Sequence, residues 1–188
     1  MNNKTAFILA SSSPRRKKIL EGAQLLFQVV EPECSEDTDE KDPGKIVLEL
    51  AQRKARDVFL KKGGVVLGCD TLVHLCGRIF GKPKDEREAK DMLRALSGQT
   101  HEVFSGVCVM DKEKAECCCE VTAVTFKELS DAQIDEYVKT GEYMGKAGAY
   151  AIQGLGALLV KKIDGDFYNV VGLPLAAAAE LLKKFDVW

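Results

Sequence analysis

A basic, hydroxyl-rich stretch directly after an apolar run is the first segment whose residue types could do chemistry. Residues 11–16 read Ser-Ser-Ser-Pro-Arg-Arg and follow the apolar residues 6–10. Proline suits the first position of a helix, where its missing N–H costs nothing. The free N–H groups of a first helical turn and the planar arginines both favour an anion such as phosphate. An ordinary helix start with basic residues would have the same sequence, so this stretch alone leaves both interpretations open.

Asp70 is the second chemical candidate, because it interrupts the apolar segment 65–75. That segment predicts a buried strand, and a buried carboxylate without a partner is energetically costly. Asp70 is therefore either a base or metal ligand in a binding site, or a structural carboxylate held by backbone N–H groups or a lysine. Lys82, between Gly81 and Pro83, is either an ordinary surface lysine or a phosphate ligand beside Asp70.

The segment 31–42 is strongly acidic and has two interpretations. Most of its carboxylates are expected in a solvated loop. A minority could hold a hard metal ion near the phosphate site, because carboxylate oxygens are the ligands that Mg²⁺ prefers. Glu33 and Glu36 are the two candidates for that role.

Alternating strands and helices must position these residues. Apolar residues recur at three-to-four spacing from Pro43 to about Lys61, which predicts a helix with a buried face and with Lys54 near its middle. The other predicted helices cover 14–22, 85–96, 130–139 and 173–185. Apolar runs predict strands at 6–10, 25–30, 65–75, 102–110, 117–126 and 157–163.

Composition limits the classes of partner. The chain has 188 residues, of which 46% are hydrophobic and 30% charged, as expected for one soluble globular domain. A net charge of -2 argues against a general binder of nucleic acid or membrane surfaces. No apolar run approaches the ~20 residues that span a bilayer, so we expect a cytoplasmic protein. The seven cysteines lack a CxxC spacing and are expected to be reduced, mostly structural thiols.

Six motifs extend in order from near residue 6 to near residue 175. They are residues 9–16 (LASSSPRR), 68–71 (GCDT), 81–83 (GKP), 96–101 (LSGQTH), 146–154 (KAGAYAIQG) and 171–174 (VGLP). Together they resemble the Maf family of nucleoside triphosphate pyrophosphatases over almost the whole chain. Two positions depart from the family pattern, because Ser35 replaces a common acidic residue and Gly145 replaces a common aspartate.

The resemblance implies a fold and a reaction. The fold is α/β, a single Maf-like domain over 1–188 with a two-lobed mixed sheet, flanking helices and a central nucleotide cleft, related to inosine-triphosphate pyrophosphatases (Maf/Ham1). The reaction converts a nucleoside triphosphate and water to the monophosphate and pyrophosphate with Mg²⁺ or Mn²⁺. A homodimer is also compatible with the resemblance.

The resemblance also assigns roles to individual residues. Asp70 would be the general base and, with Glu36, a metal ligand, and Lys82 would act with it in catalysis. The triphosphate and water would be surrounded by basic and hydroxyl side chains, namely Ser11, Arg15, Arg16, Lys54 and Lys82.

Base preference is implied by three positions, which match Arg15, Thr71 and Gln153. They resemble the branch that acts on dTTP, UTP and modified pyrimidine triphosphates, since an amide can both donate to and accept from thymine or uracil. We expect Arg15 nearer to substrate selection and Arg16 nearer to phosphate charge. Two alternatives remain, a 7-methyl-GTP pyrophosphatase of the same family and a non-catalytic nucleotide-binding regulator of cell division.

Overall fold

The computed structural model describes residues 6–187 and confirms the mixed α/β class. Within that range seven strands form one sheet in the order β2-β1-β3-β5-β6-β7, and β4 pairs with β3. The strands are β1 Phe7–Ala10, β2 Phe27–Val30, β3 Val66–Leu75, β4 Arg78–Phe80, β5 Thr100–Met110, β6 Ala115–Phe126 and β7 Val160–Asp164. The helices are α1 Pro14–Gly22, α2 Pro43–Lys62, α3 Glu86–Leu96, α4 Asp131–Lys139, α5 Phe167–Val171 and α6 Leu175–Lys183.

The chain divides into two compact units, which are described separately below. The first unit comprises residues 6–71, 105–120 and 172–187. The second unit comprises residues 72–104 and 121–171. Across the described range 6–187, no helix combines the length and apolar character needed to cross a membrane.

In the first unit, a parallel sheet carries the long helix α2. β1 pairs in parallel with β2 on one side and with β3 on the other. The Asp42 side chain accepts a hydrogen bond from the Lys45 backbone N–H at 3.0 Å, which satisfies one of the free donors at the start of α2. The apolar face of α2 packs into a buried cluster of small residues, which contains Ala10, Ala51, Ala55, Val58, Val66 and Cys108.

Two glycines let the backbone of α2 lie directly on the sheet. A Cβ added to Gly68 on β3 would lie 2.2 Å from the carbonyl oxygen of Ala51, and one added to Gly106 on β5 would lie 2.1 Å from that of Val47. No side chain can be accommodated at either point. This close approach fixes the position of Lys54, which follows Ala51 by about one helical turn.

The second unit has its own core around α3 and α4. β3 pairs with β4 and β6 pairs with β7, both antiparallel. Ser130 and Gln133 form a reciprocal capping box at the start of α4. The core buries aromatic and aliphatic side chains, among them Phe80, Leu93, Leu96, Phe126, Ile134 and Tyr150.

One secondary-structure prediction in the second unit is wrong at its start. The strand predicted over 157–163 begins only at Val160, because residues Gly154–Leu159 form a 3₁₀ helix. The Glu142 carboxylate accepts hydrogen bonds from the backbone N–H groups of Leu155 (3.0 Å) and Gly156 (2.8 Å) and so holds this turn. The short helix α5, where the sequence analysis predicted no element, starts where the Asp166 carboxylate accepts from the Tyr168 N–H at 2.7 Å.

Candidate functional site

The stretch 11–16 forms the turn between β1 and α1 in the first unit. Pro14 is the first residue of α1, as predicted. The Ser11 hydroxyl accepts hydrogen bonds from the Ser13 N–H at 3.1 Å and from Arg16 Nη1 at 3.3 Å. Arg15 is half-buried in the first turn of the helix. The Ser11 hydroxyl therefore stabilises the turn through hydrogen bonds to residues 13 and 16.

Arg16 connects three segments that are distant in sequence. Its Nη2 donates to Thr71 Oγ1 at 3.1 Å, and its Nε donates to the Gly172 carbonyl at 2.7 Å. Thr71 Oγ1 also shares a hydrogen bond with Ser105 Oγ at 2.8 Å. The three acceptors Ser11 Oγ, Thr71 Oγ1 and the Gly172 carbonyl are neutral, so they leave the positive charge of Arg16 available to an anion.

Lys54 is buried between two carboxylates. Its Nζ lies 2.6 Å from Asp70 Oδ1 and 2.5 Å from Glu36 Oε1. The side chain of Lys54 is 8% exposed and that of Asp70 is 13% exposed, whereas that of Glu36 is 49% exposed. Burial lowers the pKa of Lys54, but the charge and hydrogen bond of Asp70 and the hydrogen bond of Glu36 outweigh burial and raise that pKa above its ordinary value. Lys54 is therefore a cation at neutral pH.

The acidic segment is fastened to α2 by Arg53, next to Lys54. Arg53 Nη1 donates to the carbonyl oxygens of Ser35 and Asp37, each at 2.8 Å, and Nη2 forms an ion pair with Glu49. The two carbonyls flank Glu36 in sequence. Arg53 thus holds the loop in the position from which Glu36 reaches Lys54.

Glu33, the other candidate in the acidic segment, contacts a different part of α2. Its carboxylate pairs with Lys61 at 2.9 Å, and its backbone N–H donates to Asp57 at 2.9 Å. The structure therefore brings Glu36, and not Glu33, to the ammonium that also binds Asp70.

Lys82 and Gln153 both lie in the second unit, on neighbouring segments. Lys82 is exposed and follows β4, and Gln153 is exposed immediately before the 3₁₀ helix. The Gly148 N–H donates to the Gly81 carbonyl at 3.1 Å, which joins the 81–83 and 146–154 motifs. Gly148 has a φ of +67°, and a Cβ there would lie 3.1 Å from Val73. Glycine is therefore needed where the two motifs meet.

The carboxylates of Asp70 and Glu36 are the candidate ligands for a divalent metal ion near Lys54. In the range 6–187 no three His, Cys, Asp or Glu side chains come together as a metal site. Asp70 and Glu36 do come together, since both bind the same ammonium. Mg²⁺ is commonly held by one or two carboxylates together with substrate phosphates and water, so this pair fits such an ion.

The structure brings together most of the first-unit side chains that were proposed from the sequence, but the sequence did not indicate which groups hold them in place. Ser11, Arg16 and Thr71 share one hydrogen-bond network, and Lys54 joins Asp70 to Glu36. The supporting groups Arg53, Ser105 and the Gly172 carbonyl were missed. Gly172 lies in the 171–174 motif, so the sequence did mark this position, but it assigned no function to it. The only sequence feature that could have indicated Arg53 is its position next to Lys54.

The chain is similar to proteins of known name along nearly its full length. A sequence profile described as Maf-like protein matches residues 6–185. The chain is 51% identical over 182 residues to the dTTP/UTP pyrophosphatase of Bacillus cytotoxicus, covering 96% of this chain and 95% of that protein. It is 49% identical over 168 residues to the dTTP/UTP pyrophosphatase of Thermococcus onnurineus, covering 89% and 91%.

A solved structure shares the fold at low sequence identity. The Staphylococcus aureus Ham1 protein matches with a TM-score of 0.53 and 11% identity, covering 96% of this chain and 97% of that one. This similarity confirms the predicted relation to Ham1-type folds.

Proposed function

The chain belongs to the Maf-like protein family, and on that basis we propose that it is a nucleoside triphosphate pyrophosphatase. Its substrates are dTTP, UTP and modified pyrimidine nucleoside triphosphates, which it hydrolyses to the monophosphate and pyrophosphate. The observation that carries the proposal is the buried Lys54 ammonium, shared by Asp70 and Glu36 in the unit that contains the 11–16 turn. The named activity of relatives at about 50% identity supports it.

In the proposed mechanism, Asp70 takes a proton from the water that attacks the α phosphorus. The bond from this phosphorus to the oxygen that bridges the α and β phosphates breaks, and pyrophosphate leaves. A positioned base of this kind contributes about 10²–10⁴-fold to a rate. Lys54 orients the Asp70 carboxylate through the 2.6 Å contact and offsets charge on the phosphate oxygens. Arg16 and Arg15 supply further positive charge at the start of α1, and Lys82 binds the pyrophosphate leaving group.

Asp70 and Glu36 are the residues that would hold Mg²⁺ or Mn²⁺. The bound cation would neutralise phosphate oxygens and so favour attack on the triphosphate. Arg53 keeps Glu36 available for that role through the Ser35 and Asp37 carbonyls.

Base preference in this proposal is set by Thr71, Gln153 and Arg15. The Gln153 amide offers one acceptor and two donors, which matches the O4 and N3–H edge of thymine or uracil. Thr71 is held by Arg16 and Ser105, so its hydroxyl has a fixed position.

The proposal also includes a cytoplasmic location, a homodimer, and no nucleic-acid or membrane partner. Light scattering in solution tests the homodimer.

The test is a pyrophosphate-release screen over dTTP, UTP, modified pyrimidine triphosphates and 7-methyl-GTP, with Mg²⁺ and with Mn²⁺. We expect turnover of the pyrimidine substrates and its loss in Asp70→Asn, with an unchanged circular dichroism spectrum. Asp57→Asn, which removes a carboxylate that pairs with Lys61 on the same helix, is the matched control and should retain turnover.

Each alternative predicts a different result in this screen. Preference for 7-methyl-GTP over dTTP and UTP would show that the roles of Thr71 and Gln153 are wrong. Binding of UTP without metal-dependent hydrolysis would favour the non-catalytic regulator. Full activity of Asp70→Asn would remove Asp70 as the base, which matters because a purely structural carboxylate would also pair with Lys54.

A further inference from the structure

Cys108 and Cys117 face each other across the β5–β6 hairpin. The hairpin register is fixed by the Asp111 N–H, which donates to the Lys114 carbonyl at 3.0 Å. At the end of the hairpin away from the turn, the Phe126 N–H donates to the Gln99 carbonyl at 2.9 Å, which gives the same pairing register. Counting from either bond places Cys108 directly opposite Cys117.

This position in the ladder has the geometry of a disulfide. Bonded and non-bonded pairs alternate along an antiparallel ladder, so the 111/114 bond makes 108/117 a non-hydrogen-bonded pair. The Cα atoms of such a pair are about 4.5 Å apart, within the range that a disulfide bridges. Cys118 points to the opposite face of the strand and does not compete for this position.

The two thiols differ in access and in acidity. Cys108 is fully buried in the cluster beneath α2, whereas Cys117 is exposed. The hydrogen bond between them lowers the pKa of Cys117, and the same hydrogen bond together with burial raises the pKa of Cys108. Cys117 is therefore both the accessible and the more nucleophilic member of the pair.

We propose that Cys117 and Cys108 form a redox-reactive pair that is oxidised to a cross-strand disulfide by low-molecular-weight disulfides. The Cys117 thiolate attacks one sulfur of the disulfide RSSR, so that a Cys117–S–S–R bond forms, the RS–SR bond breaks and RS⁻ leaves. Cys108 then transfers its proton to RS⁻ and attacks the Cys117 sulfur, which expels a second RS⁻ that takes up the proton released by Cys117. Two protein thiols are oxidised, and one RSSR is reduced by two electrons to two RSH.

Three of the five other cysteines illustrate why this pair is favoured. Cys69 is buried, and burial raises the pKa of its thiol. Burial also raises the pKa of Cys118, to about 11, so little thiolate exists at neutral pH. Cys76 is exposed, but it lies in the second unit, at the turn between β3 and β4. Cys76 is therefore the natural control for a reactive surface thiol.

The experiment treats the reduced full-length protein with oxidised glutathione and maps cysteine peptides by mass spectrometry without reduction. We expect loss of two thiols together, release of two glutathiones per protein and a peptide that links Cys108 to Cys117. Cys108→Ala should accumulate a glutathione adduct on Cys117, since the second thiol is missing. Cys76→Ser should give the same crosslink as the natural chain.

Limiting iodoacetamide on the natural chain provides a second readout that needs no variant. Cys117 should be alkylated several-fold faster than Cys76, and prior treatment with oxidised glutathione should abolish its labelling. Equal labelling of Cys117 and Cys76, a glutathione adduct that persists on Cys117 in the natural chain, or a crosslink between other cysteines would each overturn the proposal. All of these readouts are independent of nucleotide hydrolysis, so they stand or fall separately from the proposed function.

Discussion

Lowering the pH from 7 to 5 should destabilise the protein through one side chain, His101. Its imidazole is fully buried in the second unit, where Nε2 shares a hydrogen bond with the Tyr150 hydroxyl at 2.8 Å. Nδ1 is buried and has no hydrogen-bond partner among residues 6–187. Burial lowers the pKa of His101 from 6.5 to about 4.

The sign of the pH effect follows from these two values. Between pH 6.5 and about 4 the unfolded chain binds a proton at His101 that the folded chain does not bind. The free energy of unfolding therefore falls as the pH decreases through this window. The loss is about 2 kcal/mol at pH 5 and about 3 kcal/mol once the pH is below 4. For a chain of this length, the loss at pH 5 corresponds to a decrease in Tm of roughly 4–8 °C.

Urea unfolding at pH 7 and pH 5 measures this difference. His101→Gln should remove most of it, because the amide has no proton to gain. Tyr150→Phe is the matched control and should keep the pH dependence, since burial and not the hydroxyl depresses the pKa of His101. NMR titration of the natural chain gives the imidazole pKa directly. A pKa of His101 near 6.5 in the folded protein, or the full pH dependence in His101→Gln, would contradict this prediction.

Three further predictions concern the first unit. Lys54→Met leaves a nearly buried carboxylate unpaired and should cost about 3 kcal/mol in urea unfolding, with most of that cost recovered in the double variant with Asp70→Asn. Arg53→Gln should reduce kcat/KM in the pyrophosphate assay by about 10-fold or more by releasing the acidic loop, whereas Arg56→Gln on an exposed position of the same helix should not. Gly68→Ala should prevent soluble expression of the folded chain, because its Cβ overlaps the α2 backbone, and normal folding would contradict the close approach.

Local patterns in the sequence were enough to predict most of the helices and strands. The period of the apolar residues predicted α2, and Asp42 before Pro43 marks its start. Asp70 was identifiable because burying a carboxylate in an apolar strand is energetically costly unless the carboxylate has a partner. These signals are contained within a few residues of the position they describe, so they can be read without the tertiary structure.

Features that depend on distant partners could not be read in this way. The 3₁₀ helix at 154–159 depends on Glu142, which lies twelve residues before its start, while its own apolar residues resemble a strand. The support of Thr71 by Arg16 and Ser105 joins positions far apart in the sequence. The pairing of Glu36 with Lys54 likewise depends on Arg53 holding a loop that composition alone describes as solvated.

The two glycines beneath α2 bear on whether the charged site could be moved to another protein. The main-chain atoms of Ala51 and Val47 contact Gly68 and Gly106, so the backbone of α2 is held against the sheet at two points about one helical turn apart. Two such points prevent both sliding and rotation of the helix about its axis. The backbone positions from which the Lys54 and Asp70 side chains extend are then set by main-chain contact rather than by packing of deformable side chains. A graft that copied only the lysine and the carboxylates would lose this registration, so a transplanted site needs both glycines as well.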